Sequence, residues 1–329
     1  MKYNRNIYLK DFLIKLFDLF NTRAIEFLIL RNYESLPDEL RDGGDIDFIL
    51  SSSSYGRIYG VLSDMDGLDI LISSRRTVVH EFVVMYEKRL YIKLDFHPFE
   101  DWHGAIYFES SEIFSSATKY KMFPVPSAFH QAITMLFASY LYGGFIKQKY
   151  MDFVKPTLAN SKELDNLVPI FGEKNIDAIR DFAKQVISDK KLLSRRKSIL
   201  YNLVKFNIKK YGLQYIKRFV KTRIDEVLLR VKYNGVIIRL ETQDNKAAII
   251  TLTTFLQVFL GSDRICILNQ NSGLRDFVKV WDDVGRLKII IYDNCSSIFM
   301  KSPDVSMFNH NTICEDVVKY LINRNIHNP

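Results

Sequence analysis

Three aspartates stand in apolar surroundings where a carboxylate is costly to place. Asp45 and Asp47 interrupt the run Asp-Ile-Asp-Phe-Ile-Leu at 45–50, and Asp95 interrupts Leu90–Phe99, which reads LYIKLDFHPF. A buried charge without a partner is strongly disfavoured, so acids at such positions need a reason. Residues i and i+2 of a strand share a face, which projects Asp45 and Asp47 together with their Cα atoms about 7 Å apart. If the Asp95 strand pairs beside them, the third carboxylate comes within about 5 Å across the ladder. Like charges held this close require a cation among them or a raised pKa. Mg2+ or Mn2+, which take oxygen ligands, would satisfy the first condition and would support in-line displacement at a phosphorus centre.

The elements that must carry these acids are legible around them. Leu9, Phe12, Leu13, Leu16, Phe17 and Phe20 recur at a period near 3.6 and predict an amphipathic helix over 7–20. Strands are expected at about 25–31 and 45–50. Between them Leu36-Pro37 reads as a turn or helical start, with Pro37 in its first position. Ser51–Ser54 leads into a helix that ends near Asp66-Gly67, and strands follow at 68–72, 77–86 and 90–96, the last two joined by a hairpin turn at 86–89. From Ser127 a buried helical stripe begins, and the pattern stays helical to about 230 with a break at Val168-Pro169. After Gly235 strands alternate with helices: strands at 236–240, 265–268 and 287–292, helices at 247–260 and 313–322. That alternation predicts a small parallel α/β unit. The expected architecture is an α+β N-terminal half over 1–125 with a mixed sheet and flanking helices, a helical middle subdomain over 126–232, and a small α/β domain over 233–329.

Taken together, the motifs of the N-terminal half resemble the nucleotidyltransferase superfamily, of DNA polymerase β-like fold. More closely, they resemble members of it encoded with bacterial capsule and O-antigen pathways. The resemblance rests on Leu30-Arg31-Asn32-Tyr33-Glu34 with Leu36-Pro37, then Gly44-Asp45-Ile46-Asp47, Arg76, His80, Leu94-Asp95-Phe96-His97, Trp102-His103-Gly104 and Val125-Pro126-Ser127. It covers roughly the first 150 residues. It implies that Asp45, Asp47 and Asp95 bind metal and form the catalytic centre, with Asp95 drawing the proton from the attacking hydroxyl. Where the superfamily carries Gly-Ser to cradle a triphosphate, this chain has Arg31-Asn32. Those two residues and Gly44 would then hold the donor phosphate, Arg31 through its guanidinium fork. Arg76, His80 and His97 stand where substrate contacts are expected, and His97 would orient a phosphate or carry a proton. Trp102 and Gly104 read as a packing turn, and Glu34, Asp42 and Asp101 as surface acids.

The stretch Gly235–Asn245 resembles the first strand and turn of a thymidylate kinase-like P-loop domain whose phosphate loop has decayed. Ala247-Ala248-Ile249-Ile250 stands where glycines and a lysine would cradle the phosphates. Asp293-Asn294 is at best a remnant of an acidic strand end. This part is read as a scaffold or interaction module.

Composition bounds the rest. A chain of 329 residues accommodates about two domains with cores of their own. Its N-terminal stretch has no continuous apolar segment of the kind a signal peptide carries, and no run of about 18 apolar residues marks a membrane span. Cys266, Cys295 and Cys314 form no CxxC pair, which suits a reducing cytoplasm and argues against a zinc site. No Ser-His-Asp elbow, HExxH or dinucleotide fingerprint is present. The net charge is +8, and its basic excess lies between Lys190 and Lys232. Those lysines and arginines accompany Leu192, Ile199, Leu203, Phe206, Ile208, Ile216, Phe219 and Val220. They read either as a solvated helix face or as a surface for anionic lipid or a lipid-linked glycan phosphate. Nucleic acid is a weaker reading, because no recognition motif accompanies the charge.

Two functions follow. One is a Mg2+- or Mn2+-dependent transferase of nucleotidyl or phospho-groups in cell-surface polysaccharide assembly, cytoplasmic or peripheral at the inner membrane face. It would take a nucleotide or nucleotide-linked donor and a sugar or lipid-linked glycan acceptor. The other is an inactive scaffold that recruits pathway enzymes; a toxin-like nucleotidyltransferase fits the motif series less well.

Overall fold

The structure is a computed structural model that describes residues 5–40 and 45–231, together with the strands 236–240, 265–268, 289–293 and 305–307. It is a mixed α+β protein. Helix α1 (Arg5–Thr22) places Leu9, Phe12, Leu13, Leu16, Phe17 and Phe20 on one fully buried face, as their spacing requires. That face covers a five-stranded sheet of order β1-β2-β5-β4-β3, built from β1 (Phe27–Ile29), β2 (Asp45–Leu50), β3 (Leu68–Arg75), β4 (His80–Tyr86) and β5 (Leu90–His97). β2 and β5 run parallel at its centre, and every other pairing is antiparallel.

The two-residue alternation of the strands sorts the chemistry. Ile46, Phe48 and Leu50 of β2, Phe82 and Val84 of β4, and Leu94 and Phe96 of β5 all join the core under α1. Phe48 and Phe96 stack there at 4.9 Å, and Phe20 meets Phe48 edge-on at 6.1 Å. Burying each such ring contributes roughly 1.5–3 kcal/mol, which fixes the register of both central strands. With that register set, Asp45 and Asp47, Glu81, and Lys93, Asp95 and His97 must stand on the opposite face.

Between β2 and β3 the lead-in expected at Ser51–Ser54 is itself a short helix, α2 (Ser52–Tyr55), and the helix expected to end near Asp66-Gly67 is α3 (Ile58–Ser63), the two divided at Gly56-Arg57. The segment around Pro37 is a turn and not a helical start. β4 begins at His80 and not at Thr77, since 76–79 forms the turn back from β3. A hairpin without a clear signal in the sequence follows, β6 (Phe99–Trp102) and β7 (Ala105–Glu109). Its two connecting residues, His103 and Gly104, have φ of 48° and 87°, the left-handed pair that a tight hairpin needs. Next come α4 (Ser110–Ser115) and the small hairpin β8 (Thr118–Tyr120) with β9 (Phe123–Val125).

The helical part comprises α5 (Ala128–Gly143), α6 (Met151–Ala159), α7 (Val168–Phe171), α8 (Glu173–Ala183), α9 (Asp189–Ser194), α10 (Arg196–Tyr211) and α11 (Leu213–Val231). The break expected at Val168-Pro169 is a helix boundary: a 3-10 helix ends at Leu167 and Pro169 stands in the first turn of α7, where its nitrogen has no helical partner to lose. These helices share a second core with Leu28, Leu30 and Ile49 of the sheet region and Ala105, Tyr107 and Phe108 of β7. The acid-bearing side of the sheet is thus the side on which the helices pack. Four strands, β10 (Val236–Leu240), β11 (Ile265–Leu268), β12 (Ile289–Asp293) and β13 (Val305–Met307), form a parallel sheet of order β11-β12-β10-β13. The helices expected over 247–260 and 313–322, the stretch 247–250 expected as a decayed phosphate loop, Asp42 and Gly44 lie outside the described residues.

Candidate active site

Asp47 and Asp95 are direct register partners across the parallel β2–β5 pair, and Asp45 lies two residues before Asp47 on the same face. One carboxylate oxygen from each of the three falls within a sphere where all lie within 4.8 Å of one another. That spacing fits a single hard cation. Asp95 Oδ1 is buried and accepts no hydrogen bond among the described residues, an oxygen still short of a ligand. The donor set is therefore suited to Mg2+ or Mn2+.

The same residues are already engaged by protein cations. The chain leaves β1 opposite Asp47, where the Leu30 N–H donates to the Asp47 carbonyl at 2.8 Å. Arg31 follows and turns its fork onto the Asp47 carboxylate, Nε to Oδ2 at 2.7 Å and Nη2 to Oδ1 at 3.0 Å. Asn32 next takes a left-handed φ of 57°, a conformation its short amide tolerates, and accepts from Tyr150 Oη at 3.4 Å. Lys93 pairs in register with Asp45 and hydrogen-bonds Asp95. Burial would raise the Asp47 pKa, but the Arg31 guanidinium outweighs it and holds the group down at about 2. Asp95 shows the reverse: burial pushes it up to about 7, with Glu81, Asp47 and Asp45 adding to the rise and Lys93 opposing it.

A cleft of about 280 Å3 opens over this surface, lined by Arg31, Asp47, Asp95 and His97 on the sheet side and by Phe99, Glu100, Asp101, His103, Tyr107 and Tyr142 on the other. A larger cavity, about 480 Å3, lies along α7 and α10 beside Lys205 and Lys209, but no carboxylate lines it, and the chemistry belongs to the smaller one. His97 Nε2 stands 3.9 Å from Asp47 Oδ1, and burial lowers its pKa to about 4, so a neutral imidazole faces the carboxylate at neutral pH. Arg76 lines the cleft and pairs with Glu81. His80 stands apart from it: its register partner is the core residue Phe96, and its ring stacks on Tyr55 at 4.0 Å. Burial lowers the His80 pKa to about 4 as well. A one-residue offset from Glu81 suffices to put His80 on the wrong face.

Four residues of the site had no signal in the sequence pattern. Lys93 and Glu81 read as ordinary polar members of strands. Asp101 reads as a surface acid and Glu100 carries no signal, yet they are only 7% and 8% exposed. Glu100 accepts from Tyr107 Oη at 2.7 Å, and Asp101 accepts the Gly104 N–H at 2.5 Å inside the tight turn. Helix α11 closes this side. Arg218 Nε donates to the Gly104 carbonyl at 2.6 Å, and Asp225 accepts both the N–H and the hydroxyl of Thr77, at 2.8 and 2.6 Å. β6 reads Phe-Glu-Asp-Trp with no apolar alternation, and its pairing is irregular between Glu100 and Asp101, so no periodic signal marks these acids.

Burial raises Glu100 and Asp101 to about 7, as it does Asp95. In the unfolded chain these acids ionise near pH 4, so between about pH 4 and 7 the folded state holds protons that the unfolded state has released. Stability must therefore fall as pH rises across that window. The Asp47–Arg31 pair acts oppositely, being lost only as pH falls from about 4 toward 2. The thermal midpoint is expected to drop between pH 5 and 8, and Glu100→Gln should flatten part of that slope. A midpoint that rises over the same range in the wild type would contradict the burial of these acids.

In comparisons with known proteins, no family model, curated sequence or solved structure matches this chain. The site must be read from its own geometry.

Proposed function

We propose that the protein is a Mg2+- or Mn2+-dependent transferase of nucleotidyl-fold type that moves a nucleotidyl or other phospho-group from a nucleotide-linked donor to a hydroxyl acceptor. The observation that carries this reading is the convergence of Asp45, Asp47 and Asp95 within 4.8 Å, with Asp47 and Asp95 lining a cleft and one Asp95 oxygen unclaimed. Asp45, Asp47 and Asp95 would hold the ion, which supplies neutralisation of the phosphate charge and alignment of the in-line displacement. Arg31 and Arg76, both lining the cleft, present cationic edges to the donor phosphate. The acceptor hydroxyl approaches from the side of Glu100 and Asp101. Its oxygen forms the new P–O bond while its proton passes to a buried carboxylate, and the P–O bond to the leaving phosphate breaks. A carboxyl group with a pKa near neutrality is suited to that transfer. The sequence resemblance supports an acceptor among sugars or lipid-linked glycans of cell-surface polysaccharide.

Peripheral contact with an anionic membrane is supported by α10 and α11, where Ile208, Leu213, Ile216, Val220 and Ile224 are exposed beside Lys209, Lys217 and Lys221. Among the described residues no helix is long and apolar enough to cross a membrane. One observation favours the rival reading, a silent scaffold: Arg31 and Lys93 already satisfy much of the acidic charge. Calorimetry with Mg2+ or Mn2+, followed by a thermal-shift screen of nucleoside triphosphates, CDP-linked alcohols and nucleotide sugars, separates the two. The transferase should bind the ion and gain stability with ion and donor together. Binding of neither would leave the scaffold.

A further inference from the structure

The position of Lys93 bears on how many ions this site takes. It lies two residues before Asp95 on β5 and pairs in register with Asp45 on β2, so its side chain rises from the middle of the acidic face. Its Nζ stands 3.5 Å from Asp45 Oδ2 and 3.6 Å from Glu81 Oε1, and it donates to Asp95 Oδ2. Only about a tenth of the side chain is exposed. A lysine ammonium is a compact point charge with three donors, and here three carboxylates surround it.

We propose that Lys93 is a built-in counter-cation that fills one of the cation positions of the carboxylate cluster, so that the site accepts one divalent ion and not two. This rests on the metal-dependent reading above. The argument is first one of space. Lys93 engages the Oδ2 atoms of Asp45 and Asp95, and an oxygen ligand about 2.1 Å from a Mg2+ ion cannot also keep the ammonium beside it without close cation–cation repulsion. Asp95 Oδ1, which Lys93 does not engage, is left as a ligand for one ion.

The second argument is charge. With Asp95 ionised, as a metal ligand must be, three carboxylates set against Arg31 and Lys93 leave one negative charge over. One divalent ion turns that into a single positive charge, suited to an incoming phosphate. A second ion would concentrate three positive charges in a buried site before any substrate arrived, which a low-dielectric interior opposes.

The test is Mn2+ binding to the full chain without substrate, counted by calorimetry and by the loss of the free-ion resonance in electron paramagnetic resonance. Wild type and Lys93→Arg, which keeps the charge, should each bind one ion. Lys93→Met should bind a second ion, or bind the first at least tenfold more tightly. Lys93→Gln serves in its place if near-ultraviolet circular dichroism shows that the methionine variant is misfolded. Two ions on the wild type, or an unchanged isotherm in folded Lys93→Met or Lys93→Gln, overturns the role of Lys93 while leaving the metal site standing. No Mn2+ bound by any variant removes the metal-dependent reading and this inference with it.

Discussion

Asp95→Asn is expected to lower metal-dependent turnover by about 10²–10³-fold or more while leaving the thermal midpoint at pH 7 close to that of the wild type. Asp95 supplies a buried oxygen that no donor claims among the described residues, so its replacement removes a ligand for the ion. Burial already holds its pKa at about 7, so the neutral amide imitates a form the folded protein populates at that pH. Lys93 loses one partner but keeps Asp45 and Glu81. Turnover is to be measured against Mg2+ concentration, with the midpoint followed by differential scanning calorimetry. Full activity in a folded Asp95→Asn protein would mean that the acidic cluster is not where the reaction occurs. Asp47→Asn is a poorer test, because it also takes away the two-pronged partner of Arg31 and mixes a stability loss with a catalytic one.

Arg31→Met should destabilise the fold by roughly 3–5 kcal/mol near neutral pH, the range for removing one partner of a buried ion pair. Asp47 is 2% exposed, and without the guanidinium its charge has only the more distant Lys93 and a neutral His97 nearby. The dependence on pH gives the mechanism away. In the variant the Asp47 pKa moves upward, so the folded state takes up a proton that the unfolded chain, ionising near pH 4, does not. The loss should therefore be larger at pH 8 than at pH 5, as urea denaturation at the two values would show. A loss that is the same at both would assign Arg31 to packing and not to charge compensation. The two variants together separate the ligand role of Asp95 from the compensation of the Asp47 charge by Arg31.

Much of this arrangement could be read from the chain. The apolar alternation of 45–50 and 90–97 is strong enough to define two strands, and it places Asp45 with Asp47, and Asp95 with His97, on the face of each strand opposite its apolar residues. The helical spacing of Leu9 to Phe20 likewise settles which side of the sheet is covered by α1. The errors fall where short-range signals are weak. The break between α2 and α3 at Gly56-Arg57 and the β6–β7 turn through His103-Gly104 depend on one or two residues each, and a pattern read over ten cannot weigh them. His80 was displaced from the site by a single residue of register, since in a strand that distance exchanges the two faces.

What the sequence by itself determined is the existence of a carboxylate-bearing strand face, because side-chain alternation is a local property of the backbone. What only the tertiary structure decided is which cations meet those carboxylates. Arg31 reaches Asp47 because β1 runs antiparallel to β2 and releases the chain beside it, and Lys93 reaches Asp45 because β5 pairs parallel to β2 in one register. Glu100 and Asp101 join the cleft because a hairpin and α11 fold over its far side. Each of these contacts joins residues that are distant along the chain or lie on separate elements, and the charge balance of the site is the sum of all of them.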